Sequence, residues 1–328
     1  MESLGIFCKE QTGPMERRMP TVAVLMSTYN GQLYIREQLD SIFAQKDVIV
    51  RLFVRDDGST DDTVEILKEY AKNHSMELLL DGGNVGPGES FLRLVYKYAA
   101  EPGVEYYAFA DQDDIWMDDK LAVAVHMIQS MDDGGPVLYA SNQTIYTDGT
   151  VKGNRYEKPQ RTDLISHLSI NTISGCTFVF NKKLAVTIAN AERPDSRIIK
   201  YRIHDSWIML IAIASGHVIY DEQSHIYYRI HANNTVGIKK IGIKEKISKI
   251  DRLIHKRESS NQRSLTAREL LRLFENNITM ENKKKLRLFA EYQLNWKNKV
   301  ALMNNQEIIE GVFERPLVFR IKVLLNMV

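Results

Sequence analysis

Three carboxylates fall within four positions at Asp111, Asp113 and Asp114, directly after the short apolar run Tyr106–Ala110. Anions so close repel one another, and folding alone gives no reason to gather them. A divalent cation does, because Mg²⁺ and Mn²⁺ are hard ions that take carboxylate oxygens. An Asp-x-Asp pair at the end of a buried strand, here Asp111 and Asp113, can hold such an ion with a diphosphate bound to it. The competing reading is a strand end followed by a helix cap, with Asp114 or Asp118 capping a helix that begins near Lys120.

Two earlier junctions have the same form. Thr21–Met26 is a continuous apolar run, as expected of a strand buried on both faces, and it breaks into Ser27-Thr28-Tyr29-Asn30-Gly31. Val48–Val54 breaks into Arg55-Asp56-Asp57-Gly58-Ser59-Thr60-Asp61. Helical spacing follows each junction, at Leu33–Phe43 and at Val64–Tyr70, where Ser59, Thr60 or Asp61 can cap. A third strand, Met76–Leu80, leads into a glycine-rich loop, Asp81–Gly88, and then a helix over Ser90–Ala100. This alternation predicts an α/β fold with an open, mostly parallel sheet flanked by helices. Ligands of such sheets sit beyond the carboxyl ends of the strands, so the three polar junctions converge on one edge. No G-x-G-x-x-G follows the first strand and no G-x-x-x-x-G-K occurs, which disfavours dinucleotide and P-loop enzymes.

Bulk composition narrows the field further. With 328 residues, 44% hydrophobic and 26% charged, the chain fits one large domain, alone or with an accessory region. A net charge of +1 gives no global field for a nucleic-acid partner. Cys8 and Cys176 are the only cysteines, so a reducing compartment fits better than a disulfide framework, and no Cys/His cluster has zinc spacing. Residues 1–20 lack an apolar segment of signal-peptide type and read as a tail. The longest apolar run, Trp207–Ala214, is far short of the roughly twenty residues of a membrane span. The expected location is cytoplasmic, including the inner face of the cytoplasmic membrane.

The runs Val22–Gly31, Val54–Thr63 and Phe109–Trp116, in that order, resemble the nucleotide-sugar domain of family-two inverting glycosyltransferases, a GT-A-like fold. The resemblance extends from Thr21 to Asn234 and takes in Ser174–Phe178, His204–Trp207 and Tyr228–His231 with Asn233 and Asn234. In the later segments the chain is similar to bacterial enzymes that transfer rhamnose during cell-surface polysaccharide assembly. That likeness implies a deoxythymidine-diphosphate-rhamnose donor, an Mn²⁺ or Mg²⁺ cofactor, and a hydroxyl acceptor on a saccharide or lipid-linked saccharide.

Roles follow residue by residue from the same resemblance. Thr28, Tyr29 and Asn30 lie on the nucleotide side, with the Tyr29 ring against the base. Asp57 accepts the base N–H, while Asp56 orients the loop. Asn84 approaches the nucleotide or serves only its turn, and Gln112 is grouped with the nucleotide-sugar contacts. Asp111 faces the ribose and the metal's water shell, Asp113 binds the metal, and His231 supplies a third ligand or a diphosphate contact. Asp205 takes the proton from the acceptor hydroxyl; its alternative is a cap for the apolar helix that follows. His204 and Trp207 are assigned to the acceptor side, with core packing as the alternative for Trp207.

Beyond Asn234 the character changes. Lysines and arginines dominate Lys239–Arg263, and Ile243, Ile247, Ile250 and Ile254 share one helical face. Helical spacing continues at Leu265–Phe274, Lys283–Met303 and Pro316–Leu325. The expected division is a tail at 1–20, a catalytic domain at 21–235 and a basic helical region at 236–328, which either meets a membrane surface or packs as a helical cap. Three other functions compete. A nucleotidyltransferase would carry a basic residue in the first loop, which Ser27–Gly31 lacks. A UDP-hexose transferase and a silent nucleotide-sugar-binding assembly subunit would both keep the fold.

Overall fold

A computed structural model describes residues 18–131, 133–231 and 261–328. Strand β1 (Thr21–Thr28) runs parallel to β2 (Ile49–Asp56) on one side and to β4 (Tyr106–Ala110) on the other, with β3 (Met76–Leu79) parallel to β2. Helices α1 (Ile35–Phe43), α2 (Thr63–Tyr70) and α3 (Pro87–Tyr98) make the crossovers. Alternate residues of β1 feed opposite faces: Ala23 and Leu25 pack towards α3, whereas Val22, Val24 and Met26 pack towards α1. That two-sided burial is why β1 reads as an unbroken apolar run. Register does the positioning. Thr28 lies opposite Asp56, and Met26 opposite Ala110, so all three polar junctions leave the sheet at one edge.

The second half of the sheet is mixed. After β4 come β8 (Val179–Asn181), β6 (Val137–Thr147), β9 (His217–Arg229) and β5 (Ile115–Trp116), with β7 (Thr150–Asn154) paired to β6. Only the β6–β9 pairing is parallel there. β5 begins one residue after Asp114 and pairs with the end of β9, Ile115 opposite Tyr227, which carries residues 229–231 back to the acidic loop.

Between Trp116 and β6 lies α4 (Lys120–Ser130), whose N-cap is Asp119 rather than Asp114 or Asp118. Asp118 pairs instead with Lys46 at 2.5 Å, and Asp114 points into the interior, fully buried. At α2 the Asp61 carboxylate accepts the Thr63 N–H at 3.1 Å. Helices α5 (Leu164–Ser169), α6 (Lys182–Ala189) and α7 (Ser196–Ser215) cover the α3 face.

Five helices follow the second gap: α8 (Gln262–Phe274), α9 (Met280–Glu291), α10 (Trp296–Asn304), α11 (Gln306–Gly311) and α12 (Pro316–Leu324). The stretch Lys283–Met303 is two helices, because Asn295 caps α10 by accepting the Asn298 N–H at 2.9 Å. These helices join the core of the α3 face through Leu270, Phe274, Leu286 and Phe289. The basic stretch 239–260 with its isoleucines, Asn233, Asn234 and residues 1–17 lie outside the described residues. No described helix is long and apolar enough to cross a membrane.

Trp207 takes the core-packing alternative and not the acceptor side. It is fully buried against Phe274, ring centroids 6.1 Å apart, and faces no cavity. Two residues along a helix turn a side chain through about 200°, so Asp205 and Trp207 look in opposite directions. Trp207→Ala should therefore cost about 3–5 kcal/mol of stability, read from urea unfolding, through the void it leaves in the core.

Candidate active site

The polar edge of the sheet opens into a cavity of about 430 Å³, lined from every junction by residues that include Thr28, Tyr29, Asn30, Asp57, Asn84, Asp111, Gln112, Asp113, His204 and His231. A pocket of this size is in the range for a small-molecule ligand.

On one side, Tyr29 is half exposed while Thr28 is buried and donates to Asp56 Oδ1 at 2.9 Å. Asp56 takes the Gly58 and Ser59 N–H groups on its other oxygen, at 3.1 and 2.8 Å, and so folds the loop. Asn30 holds a left-handed backbone, φ 49°, and its side chain accepts the Thr60 N–H at 2.8 Å. Asp57 is tightly held. One oxygen accepts the Val85 N–H at 2.8 Å and the Arg55 guanidinium at 2.6 Å, and the other accepts the Gly86 N–H at 2.8 Å. Arg55, fully buried, also donates to the Gly82 carbonyl at 3.1 Å and meets Asp81 at 2.8 Å, tying the glycine-rich loop to β2. Asn84 caps its own turn, accepting the Gly86 N–H at 3.1 Å, and faces the cavity.

Gln112 bridges the first and third junctions. Its side-chain amide accepts the Tyr29 N–H at 2.8 Å and donates to the Tyr29 carbonyl at 2.9 Å, as a neighbouring peptide would. A Cβ on Gly31 would come within 2.4 Å of the Gln112 Oε1, so a side chain there would push the Gln112 amide off the Tyr29 backbone.

The acidic end holds the strongest electrostatics. Asp113 Oδ2 and His231 Nε2 are 2.8 Å apart, and the His231 ring lies 4.7 Å from that of Tyr34. Arg229 fixes the loop from β9: its N–H reaches Asp114 Oδ1 at 3.1 Å and its Nε the Asp113 carbonyl at 2.9 Å. Burial, then the nearby Asp113 and Asp205 charges, push the Asp111 carboxyl up to about 7. Asp111, Asp114 and Cys176 also present ligand atoms within 4.8 Å of one another. That second grouping suits a hard cation poorly, since Asp114 and Cys176 are sealed in the interior and burial drives both well upward towards their neutral forms. Lys120 lies behind it, fully buried, 3.9 Å over the Trp116 ring and held down to about 8 by burial. Asp111, Asp113 and His231 face the open cavity instead, and two carboxylates with an imidazole are a donor set that suits Mn²⁺ or Mg²⁺ better.

Across the cavity, α7 is broken. Ile203 has φ 52° and ψ 178°, a strained conformation for a β-branched residue, and the break splits α7 in two. His204 and Asp205 open the second half. The Asp205 carboxylate accepts the N–H of Ser206 at 2.5 Å, the next residue rather than one two or three further on, as an N-cap would. Burial pushes Asp205 up to about 6, against opposing backbone N–H groups of Ser206 and Gly175. Gly175 is there by necessity: a Cβ would lie 2.9 Å from Asp205 Cβ and 3.1 Å from His204 Nε2. His204 stacks on Phe91 at 4.0 Å, and burial pulls it down to about 3, so it stays neutral.

Arg55, Tyr34, Gly175 and Lys120 escape a reading from sequence because each acts through partners distant in the chain. Only Arg55 leaves a trace, as a basic residue following the buried apolar run Leu52–Val54 of β2.

The Glycosyl transferase family 2 model matches residues 23–188. The dTDP-rhamnosyl transferase RfbG of Shigella flexneri is 33% identical over 220 residues, covering 65% of this chain and 73% of that protein. An uncharacterized glycosyltransferase of Rickettsia felis is 27% identical over 239 residues, 70% of this chain but only 37% of its relative. In fold, S. aureus TarS 1–349 in complex with UDP superposes with a TM-score of 0.56 at 18% identity, over 94% of this chain and 89% of the other. With the extent of the family match and the identity to the Shigella protein, the chain belongs to glycosyltransferase family 2.

Proposed function

We propose that the protein transfers L-rhamnose from dTDP-rhamnose, with inversion, to a hydroxyl of a growing surface polysaccharide or lipid-linked saccharide. The observation that carries this reading is the meeting of Asp57, Asp111, Asp113 and His231 with Ile203 and His204 of the α7 break around one cavity, with Asp205 directly behind and close enough to Asp111 for its charge to be felt there. The choice of donor rests on the 33% identity to a dTDP-rhamnosyl transferase.

The base lies along Tyr29, and its ring N–H meets Asp57, which Arg55 and two backbone N–H groups hold in place. Asp111, Asp113 and His231 would hold the divalent ion, which when bound would supply positive charge against the leaving diphosphate. Asp205 takes the proton of the acceptor hydroxyl as that oxygen attacks the anomeric carbon. His204, neutral and stacked on Phe91, shields the reacting centre from water and lines the acceptor side.

Peripheral membrane contact fits the same reading. Leu317, Ile321, Leu324 and Leu325 on and just after α12 are exposed, with Arg320 and Lys322 among them.

The deciding experiment screens purified protein against dTDP-rhamnose, dTDP-glucose, UDP-glucose and UDP-N-acetylglucosamine, each with and without Mn²⁺ or Mg²⁺. The expected outcome is metal-dependent thermal stabilisation and slow hydrolysis greatest with dTDP-rhamnose. Preference for a UDP-hexose would replace the donor, and binding without turnover on any acceptor would favour a silent subunit.

A further inference from the structure

A second, larger groove of about 730 Å³ runs beside the donor cavity and shares Gly86, Pro87 and Ile203 with it. We propose that this groove holds the acceptor, and that the acceptor carries a phosphate group; the inference rests on the donor reading above. Position supplies the first argument. Gly86, Pro87 and Ile203 form a wall common to both cavities, and Ile203 is the break in α7 that Asp205 follows by two residues, so a molecule in the groove lies beside the donor at the end of α7 that carries the proposed base. Asp113 and His231, where the donor diphosphate is placed, do not line it.

Charge supplies the second. Arg93, Arg193, Arg197 and Lys200 all face the groove, and Glu89 is the only carboxylate in its lining. Glu89 is divided between Arg93 at 3.1 Å and Arg193 at 2.5 Å. Arg93 also meets Asp81, and Arg197 meets Asp195, while Lys200 has no ion pair among the described residues. Four cations thus share three carboxylates, and those on the rim are solvent-exposed and able to turn towards a ligand. Arginine forks with a mobile lysine recognise phosphate oxygens through several charge-assisted hydrogen bonds.

The floor is apolar, built from Pro87, Leu92, Ile199 and Ile203. It is also tightly fitted, since a Cβ on Gly88 would lie 3.2 Å from Ile199 and 3.3 Å from Ile203. An apolar floor under a cationic rim suits a sugar or hydrocarbon face that ends in phosphate. The phosphate can belong to a lipid carrier or to a phosphodiester within a polymer.

The test uses the full chain saturated with dTDP and Mn²⁺. Three probes are titrated calorimetrically: octyl glucoside, the same sugar joined to octyl through a phosphodiester, and its methyl phosphodiester counterpart. At low salt the octyl phosphodiester should bind at least about tenfold more tightly than octyl glucoside, the scale of one charge-assisted hydrogen bond. That advantage should shrink as salt rises. Arg197→Glu with Lys200→Glu, both on the exposed rim, should abolish the advantage and leave dTDP binding unchanged. Equal tightness of the methyl and octyl phosphodiesters would assign the phosphate to a soluble polymer, and dependence on the octyl chain would assign it to a lipid; both support the inference. No advantage over octyl glucoside, or an advantage that survives the double substitution, overturns it. Failure of the unaltered chain to bind dTDP would overturn the donor reading itself, and this inference with it.

Discussion

Asp205→Asn is expected to lower sugar transfer by about 10²–10⁴-fold while leaving nucleotide-sugar affinity near that of the unaltered protein. The amide keeps the shape of the carboxylate and still accepts the Ser206 N–H, so the start of the second α7 segment should hold. What it loses is the ability to take a proton. Burial pushes Asp205 up to about 6, so its carboxyl is protonated and idle below that pH and ionised above it. With Mn²⁺ kept saturating at every pH, transfer by the unaltered enzyme should therefore rise with pH through about 6 and level off. That limb should be missing from the residual activity of Asp205→Asn. A variant that loses donor binding with activity, or that keeps full transfer, would reduce Asp205 to a structural element of the break in α7.

Asp113→Ala should remove metal-dependent donor binding and lower transfer by about 10²–10³-fold, as loss of several kcal/mol of charge stabilisation on the leaving diphosphate implies. The loop should keep its shape, because Arg229 holds it through the Asp113 carbonyl and the Asp114 carboxylate rather than through the Asp113 side chain. Proton linkage gives a second readout. Asp111 is pushed up to about 7 by burial and its acidic neighbours, so below that pH an incoming cation must first displace its proton. Stabilisation of the unaltered protein by Mn²⁺ should accordingly be larger at pH 8 than at pH 5.5. Unchanged turnover in Asp113→Ala, or a pH-independent Mn²⁺ effect, would move the ion away from this pair.

The parallel half of the fold was legible because burial on both faces leaves a plain mark. Unbroken apolar runs at β1 and β4, each ending in polar residues, identified strands and the edge where they stop. Less of the mixed half could be read. β5 is two residues long and β8 three, and their pairings are set by contacts with residues forty or more positions away. Helical periodicity found the C-terminal segments but not the packing of Phe274 on Trp207, so for a tryptophan two residues from a candidate base both core packing and an acceptor-side place stayed open. At the cavity, carboxylates announced themselves by their spacing. The residues that hold them, Arg55 behind Asp57 and Gly175 beneath Asp205, did not, since a close approach between distant segments has no local signature.

The pairing of Gln112 with the Tyr29 backbone gives the middle letter of the acidic motif a meaning of its own. A primary amide is the one side-chain group that reproduces both halves of a peptide unit, so Gln112 acts as an extra rung where main-chain pairing between β1 and β4 has stopped. Glutamate is nearly the same in outline, differing by one NH₂ exchanged for oxygen, yet it would set an anion against the Tyr29 carbonyl and beside two more carboxylates. Asparagine keeps the amide but is one methylene short of the reach. Between two aspartates whose charge suits a cation, the position is thus constrained by shape and polarity at once, and the neutral residue there keeps the first loop and the acidic loop in step as a single hinge-free unit.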